Sequence, residues 1–174
     1  IKDKSVDTCL VSHAHQDHLG SLPFLVKRFP YVKIITTPQT RAIAELTLHN
    51  SVSILKKEIE EKGFEFYSHD EVDLLIQMIE YKEYQTQFEL NSYHQQKAAK
   101  VNCTFYDAGY ILGSAGILLE NNNHKIFYTG DINLSSQTLQ LAAQFPETKI
   151  DTLILETTYG ATDSELLLDW NSES

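Results

Sequence analysis

The stretch Ser12 to Pro23 reads SHAHQDHLGSLP and contains His13, His15, Asp17 and His18. Three imidazoles and a carboxylate within six residues is a donor density that ordinary surface loops do not reach. The run ahead of it, Thr8-Cys9-Leu10-Val11, is short and apolar and predicts a buried strand. The donors therefore begin where a strand ends, the usual place for a site carried on a rigid scaffold. A loop can turn His13 and His15 one way and Asp17 and His18 another, which suits two neighbouring metal ions. Neutral imidazole and carboxylate both suit zinc. The plain alternative is a polar loop with incidental histidines, and the HxHxDH spacing argues against it.

Downstream, Leu22 to Val26 predicts the first turns of a short helix that Pro30 ends. Lys33 to Thr36 predicts a strand, and Pro38 suits the first turn of a helix. Leu48, Val52, Leu55 and Ile59 make one apolar stripe over Gln39 to Lys62, with Gly63 as the stop. Ser68 and Glu71 have capping-box spacing and open a second helix with Val72, Leu75, Ile76 and Ile79 on one face. Phe64, Phe66, Met78 and Tyr81 read as core or groove lining. Strands are predicted at Phe88 to Leu90, Val101 to Tyr106, Gly116 to Glu120 and Lys125 to Thr129. Asn121-Asn122-Asn123 supplies a turn between two of them, and Thr152 to Leu155 predicts a last, fully buried strand. Strands on both sides of helical segments give an α/β domain.

The chain has 174 residues, enough for one domain with a real core. No apolar run approaches a membrane span and no signal peptide opens the chain, so no membrane role is expected. Cys9 and Cys103 both lie in strand-like runs and read as buried thiols, which implies a reducing, cytoplasmic setting. The net charge of −10 argues against a simple electrostatic grip on nucleic acid.

Four motifs together point to a family. HxHxDHxGxLP resembles the metal-binding signature of the metallo-β-lactamase fold, and the chain as a whole resembles its β-CASP branch of nucleic-acid-processing hydrolases. Thr129-Gly130-Asp131 matches the family's TGD aspartate, which bridges two metals; taken alone it is an aspartate starting a turn. Leu155-Glu156-Thr157-Thr158-Tyr159-Gly160 resembles the first β-CASP motif. By that resemblance Glu156 orients a ligand imidazole; the bland reading is a strand-end glutamate capping the next turn. Asp107 to Ala115 (DAGYILGSA) resembles the family's AGH-x-LG-[SA]-A loop but carries Tyr110 where the family has a ligand histidine. Leu112 ahead of Gly113 resembles the RNA-processing members, of RNase J and polyadenylation-endonuclease type, over the DNA cross-link repair branch.

The resemblance implies an αββα sandwich, present in part. Residues 1–174 would be a metallo-β-lactamase-like domain lacking its leading strands, with a β-CASP domain after them. It implies one or two zinc ions held by His13, His15, Asp17, His18 and Asp131, with Asp17, Asp131 and Glu156 serving catalysis. Tyr110 leaves three readings open. The first metal position is weak or empty, because a phenol with a pKa near 10 ionises reluctantly. Or Tyr110 ligates as phenolate or through water. Or the protein is an inactive paralogue. The implied function is a metal-dependent phosphodiesterase, a ribonuclease hydrolysing RNA through a zinc-bound hydroxide. The alternatives are an inactive nucleic-acid-processing scaffold subunit and a small-molecule metallo-hydrolase. The expected partners are RNA and a homodimer or larger processing complex. His49, His69, His94 and His124 read as unrelated to metal.

Overall fold

A computed structural model describes residues 6–62, 67–90 and 100–158, with the backbone alone for 55–62. Two sheets carry the chain. The first is parallel, in the order β1 (Thr8–Leu10), β2 (Lys33–Thr36) and β3 (Ile79–Tyr81). The second runs β4 (Phe88–Leu90), β5 (Val101–Asp107), β6 (Ala115–Glu120), β7 (Lys125–Tyr128) and β8 (Thr152–Ile154). Its pairs are antiparallel except β7 with β8, which is parallel. The helices are α1 (Gln16–Leu19), α2 (Leu22–Arg28), α3 (Pro38–Lys62) and α4 (His69–Met78).

The period of two in the strands sorts their side chains into two cores. Cys9, Val11 and Ile34 face the helices, where Leu19, Leu22, Ala44, Leu48, Val72 and Leu75 complete one cluster. Leu10 and Ile35 face the second sheet, meeting Cys103, Phe105, Ala115 and Ile117. The layers are therefore helices, sheet, sheet, an α/β arrangement that supplies three layers of the expected sandwich. On the outer face of the second sheet Phe145 packs edge-on against Phe127, their centroids 6.1 Å apart, so an irregular segment lies there. The tail from 159, with Tyr159 and Gly160, lies outside the described residues, as do Gly63, Phe64, Phe66, His94 and the side chains of Leu55 and Ile59.

Several elements form as their sequence directs. Ser68 caps α4 through a full capping box: its hydroxyl accepts from the Glu71 amide and the Glu71 carboxylate accepts from the Ser68 amide at 2.7 Å. Thr37 caps α3 with its hydroxyl alone, accepting from the Thr40 amide at 3.2 Å.

Other expectations are corrected. Asp17 and His18 sit in a one-turn helix, α1, and not in open loop. Asp17 lies in its positive first turn and Gly20 closes it. Ile79 leaves the helical face it was assigned and begins β3, pulled into the sheet by pairing with Ile34. Tyr81 is exposed, whereas Met78, though also exposed, lines an apolar groove with Pro23, Val26, Leu74 and Leu75 as expected. The last strand is not buried: Leu153 is 58% and Ile154 50% exposed. β8 is the edge of its sheet, paired on one side only, so burial cannot follow from its apolar run. Cys9 is half-buried, not buried; Cys103 is fully enclosed, and burial pushes its thiol pKa up to about 12.

Candidate metal centre

Four chain segments meet where the two sheets end. β1 delivers Ser12 and His13, and His15 forms the N-cap of α1 with an extended backbone. β7 runs into Thr129-Gly130-Asp131. β5 leads into the loop bearing Tyr110, and β8 leads to Glu156. Ala115 donates its amide to the Ser12 carbonyl at 2.8 Å, a main-chain bond that ties the two sheets together at the site. Gly130 has φ +58°, and a Cβ there would lie 3.0 Å from the Ala115 carbonyl oxygen and 3.1 Å from Ser12 Cβ. Only glycine lets the Asp131 turn lie so close to Ser12.

His13, His15 and Asp131 each offer a donor atom, and these atoms lie within 4.8 Å of one another. His13 Nε2 is 3.7 Å from Asp131 Oδ2, while His18 Nε2 is 3.9 Å from Asp131 Oδ1. The two carboxylate oxygens thus face different imidazoles, the geometry a bridging carboxylate requires. Asp17 is exposed, with its Oδ2 3.5 Å from His18 Nε2. The Tyr110 ring stands edge-on to both His13 and His15, with centroids 5.4 and 5.3 Å away.

The electrostatics favour neutral donors. Burial, then the neighbouring His18 and His15, hold the His13 pKa down to about 4, so its ring is uncharged at neutral pH. His13 is fully buried, and its Nε2 has no hydrogen-bond partner. An orphaned buried nitrogen costs free energy unless something fills its lone pair. A divalent cation among two imidazoles and a carboxylate would do so, and that donor set fits zinc. Burial raises the Asp131 carboxyl pKa, with His18 opposing and Glu156 adding to the rise.

Glu156 is tied to the main chain beside Asp131. Its carboxylate accepts from the Ile132 amide and from the Thr158 amide, each at 3.1 Å. The Thr158 and Ile132 bonds hold its pKa below the usual range. These bonds run to main-chain amides and fasten the Asp131 turn to the end of β8; an imidazole is not among its described hydrogen-bond partners.

The Tyr110 loop is clamped. The Gly113 carbonyl accepts from the Thr37 and Thr40 hydroxyls at 2.7 and 2.8 Å. The Ser114 hydroxyl accepts from the Tyr110 and Ile111 amides, and the Tyr84 phenol donates to the Ser114 carbonyl. Sequence reasoning passed over Ser12, Thr37 and Thr40. A small hydroxyl directly before the first histidine was the available signal for Ser12; the threonines act across more than 70 residues and leave none.

The other histidines stand apart. His49 lies between His69 (Nδ1 to Nδ1, 2.7 Å) and Asp73 (Nε2 to Oδ1, 3.0 Å) on the exposed face joining α3 to α4. Its two nitrogens point to opposite partners, so this trio does not converge as a chelate. His124 meets the Thr152 hydroxyl at 2.8 Å.

Fold and site together define an α/β domain that gathers imidazoles and a carboxylate from two sheet ends around a space a cation fits. The chain belongs to the metallo-β-lactamase superfamily, matching the metallo-beta-lactamase superfamily domain over residues 2–158. It is 35% identical to an RNase J-like protein of Methanocaldococcus jannaschii over 92% of this chain and 34% of that protein. It is 31% identical to the cleavage and polyadenylation specificity factor subunit 3 of Dictyostelium discoideum, covering 89% of this chain and 19% of the relative. Against the endoribonuclease ysh-1 of Neurospora crassa the identity is 32%, over 90% of this chain and 18% of the relative. The chain thus spans about a third or less of the curated relatives it matches. Among the described residues no helix is long and apolar enough to cross a membrane.

Proposed function

We propose that this chain carries the metal-binding part of a zinc-dependent phosphodiesterase that hydrolyses RNA, with a β-CASP domain following it. One observation carries the proposal: the buried, partnerless His13 Nε2 faces Asp131 beside His15, in a chain whose relatives are named as ribonucleases. His13, His15 and one oxygen of Asp131 would hold one ion. Asp17, His18 and the other oxygen of Asp131 would hold a second. Bound there, zinc supplies Lewis acidity toward a phosphoryl oxygen and makes water acidic enough to ionise near neutral pH. The chain's own residues provide neutral lone pairs at His13, a carboxylate split between two imidazoles, and an exposed Asp17 able to accept a proton-bearing hydrogen bond from water. Glu156 contributes by holding the Asp131 turn.

RNA is the proposed partner, in a homodimer or a larger processing complex. One relative is named as a subunit of a cleavage and polyadenylation factor. The unpaired thiols of Cys9 and Cys103 fit a cytoplasmic setting.

A second reading, an inactive scaffold subunit, is favoured by Tyr110, whose ring edge faces both histidines where a third imidazole would complete the first position. Cleavage of single-stranded RNA by the full-length protein separates the two. Hydrolysis that is lost with a chelator and with Asp17→Ala supports the enzyme. RNA bound but uncut by zinc-loaded protein, with Asp17→Ala binding equally well, supports the scaffold.

A further inference from the structure

We infer that Ser12 is a positioning residue that locks His13 and His18 in a single tautomer and so presents both Nε2 atoms to the metal. The inference rests on the metal-centre reading above and adds a residue to it. Ser12 is buried, with its hydroxyl oxygen 3.1 Å from His13 Nδ1 and 3.3 Å from His18 Nδ1. A serine hydroxyl has one hydrogen and two lone pairs, whereas a neutral imidazole has one N–H and one lone pair. If both Nδ1 atoms carry their protons, the two lone pairs of one oxygen satisfy both. Each Nε2 then keeps its lone pair free. The reverse assignment fails by count, because the single hydroxyl hydrogen cannot serve two Nδ1 lone pairs; a mixed assignment meets the count but puts an N–H on one Nε2, and neither Nε2 makes a hydrogen bond among the described residues, the Asp131 oxygens lying at 3.7 and 3.9 Å. The Nε2 atoms left free are the ones that face the two oxygens of Asp131, at 3.7 and 3.9 Å.

The hydroxyl is itself held in place. The Ser12 carbonyl accepts from Ala115, and the Gly130 turn passes so close that a side chain there would meet the Ser12 Cβ. Ligand imidazoles in metal sites ordinarily hand their second N–H to a carboxylate, a carbonyl or water. Here one hydroxyl does so for two rings, one bound toward each oxygen of the carboxylate.

The test compares full-length wild type with Ser12→Ala by nitrogen NMR of the metal-free histidines and by zinc competition with a chromophoric chelator. Wild type is expected to show His13 and His18 as Nδ1–H tautomers. Ser12→Ala is expected to lose that uniformity and to bind zinc about 10–100-fold more weakly, the usual loss when a ligand's hydrogen-bond partner is removed. Its unfolding midpoint, measured alongside, shows that the fold persists. Unchanged tautomers in Ser12→Ala overturn the inference, as does unchanged zinc affinity in a wild type that binds zinc. If wild type binds no zinc, the metal reading falls, and the tautomer comparison alone decides the role of Ser12.

Discussion

Replacing Thr37 and Thr40 by valine, singly and together, should expose a coupling that the clamp on the Tyr110 loop imposes. Both hydroxyls donate to one buried acceptor, the Gly113 carbonyl, and both threonines are fully buried. Thr40→Val removes one bond while Thr37 still satisfies the carbonyl, a loss of about 1 kcal/mol. Thr37→Val removes a bond of the same kind and also the cap on the Thr40 amide, about 1 kcal/mol more, giving about 2 kcal/mol. Independent sites would make the pair cost about 3 kcal/mol. The double variant, however, leaves a buried carbonyl without either hydroxyl, which adds about 1–3 kcal/mol of unpaid desolvation. The double variant should therefore lie about 4–6 kcal/mol below wild type, with a coupling well outside the roughly 0.5 kcal/mol scatter of independent sites. Urea unfolding of the four proteins, followed by far-ultraviolet circular dichroism, reads the cycle directly. A double variant whose loss equals the two single losses would show that the carbonyl finds another partner, and the clamp would not be the device described.

Asp131→Asn keeps the shape of the side chain proposed to bridge the metals but removes its charge; zinc binding should fall and RNA hydrolysis drop by about 10³-fold, the several kcal/mol a metal contributes, measured as initial cleavage rates. Tyr110→His should raise the number of zinc ions bound per chain, read by elemental analysis after dialysis, because a third imidazole then joins His13 and His15. In the metal-free protein, His13 titrates near 4 against about 6.5 when unfolded, so between those values the unfolded chain binds the extra proton. That contribution, about 3 kcal/mol, is complete above about pH 6.5 and is lost as pH falls toward 4; urea midpoints across this window should fall with acid in wild type and stay flatter in His13→Gln. Phe105→Ala and Leu75→Ala should each destabilise by about 3–5 kcal/mol, but only the first, which lies between the sheets that share the site, should also weaken zinc binding.

Much of the frame was legible because strong local signals agreed with the tertiary outcome. Cys103 and Phe105 alternate with Asn102 and Thr104 and do fall on opposite faces of β5. Pro38, Ser68 and Glu71 mark helix starts through chemistry contained in a few residues. What escaped was decided at long range. Ile79 has apolar spacing that fits α4, yet pairing with Ile34 claims it for a strand. The run at Thr152 to Leu155 looks like a core strand, but only sheet order reveals it as an edge. At the site, the HxHxDH and TGD residues were visible and the structure brings His13, His15, His18 and Asp131 together. Of the residues that hold them, Ser12 acts on the nearby His13 and His18, so only its role and not its position was hidden, whereas Gly130 and the two threonines act through contacts between segments far apart in the chain.

The placement of the donors also bears on how so acidic a chain would act on RNA under the proposed function. A net charge of −10 opposes a polyanion over the whole surface, and non-specific affinity for nucleic acid rises with the number of phosphates neutralised. Yet around the proposed metal site little of that charge is free: His13 is neutral and enclosed, and the Glu156 carboxylate is committed to two main-chain amides. Two divalent ions among His13, His15, Asp17, His18 and Asp131 would add four positive charges against two carboxylates. The attraction for a scissile phosphate is then local and depends on metal loading, while the surrounding surface repels the rest of the strand. Binding of RNA by such a site should be weak without metal and steeply improved with it, a dependence that a basic groove would not produce.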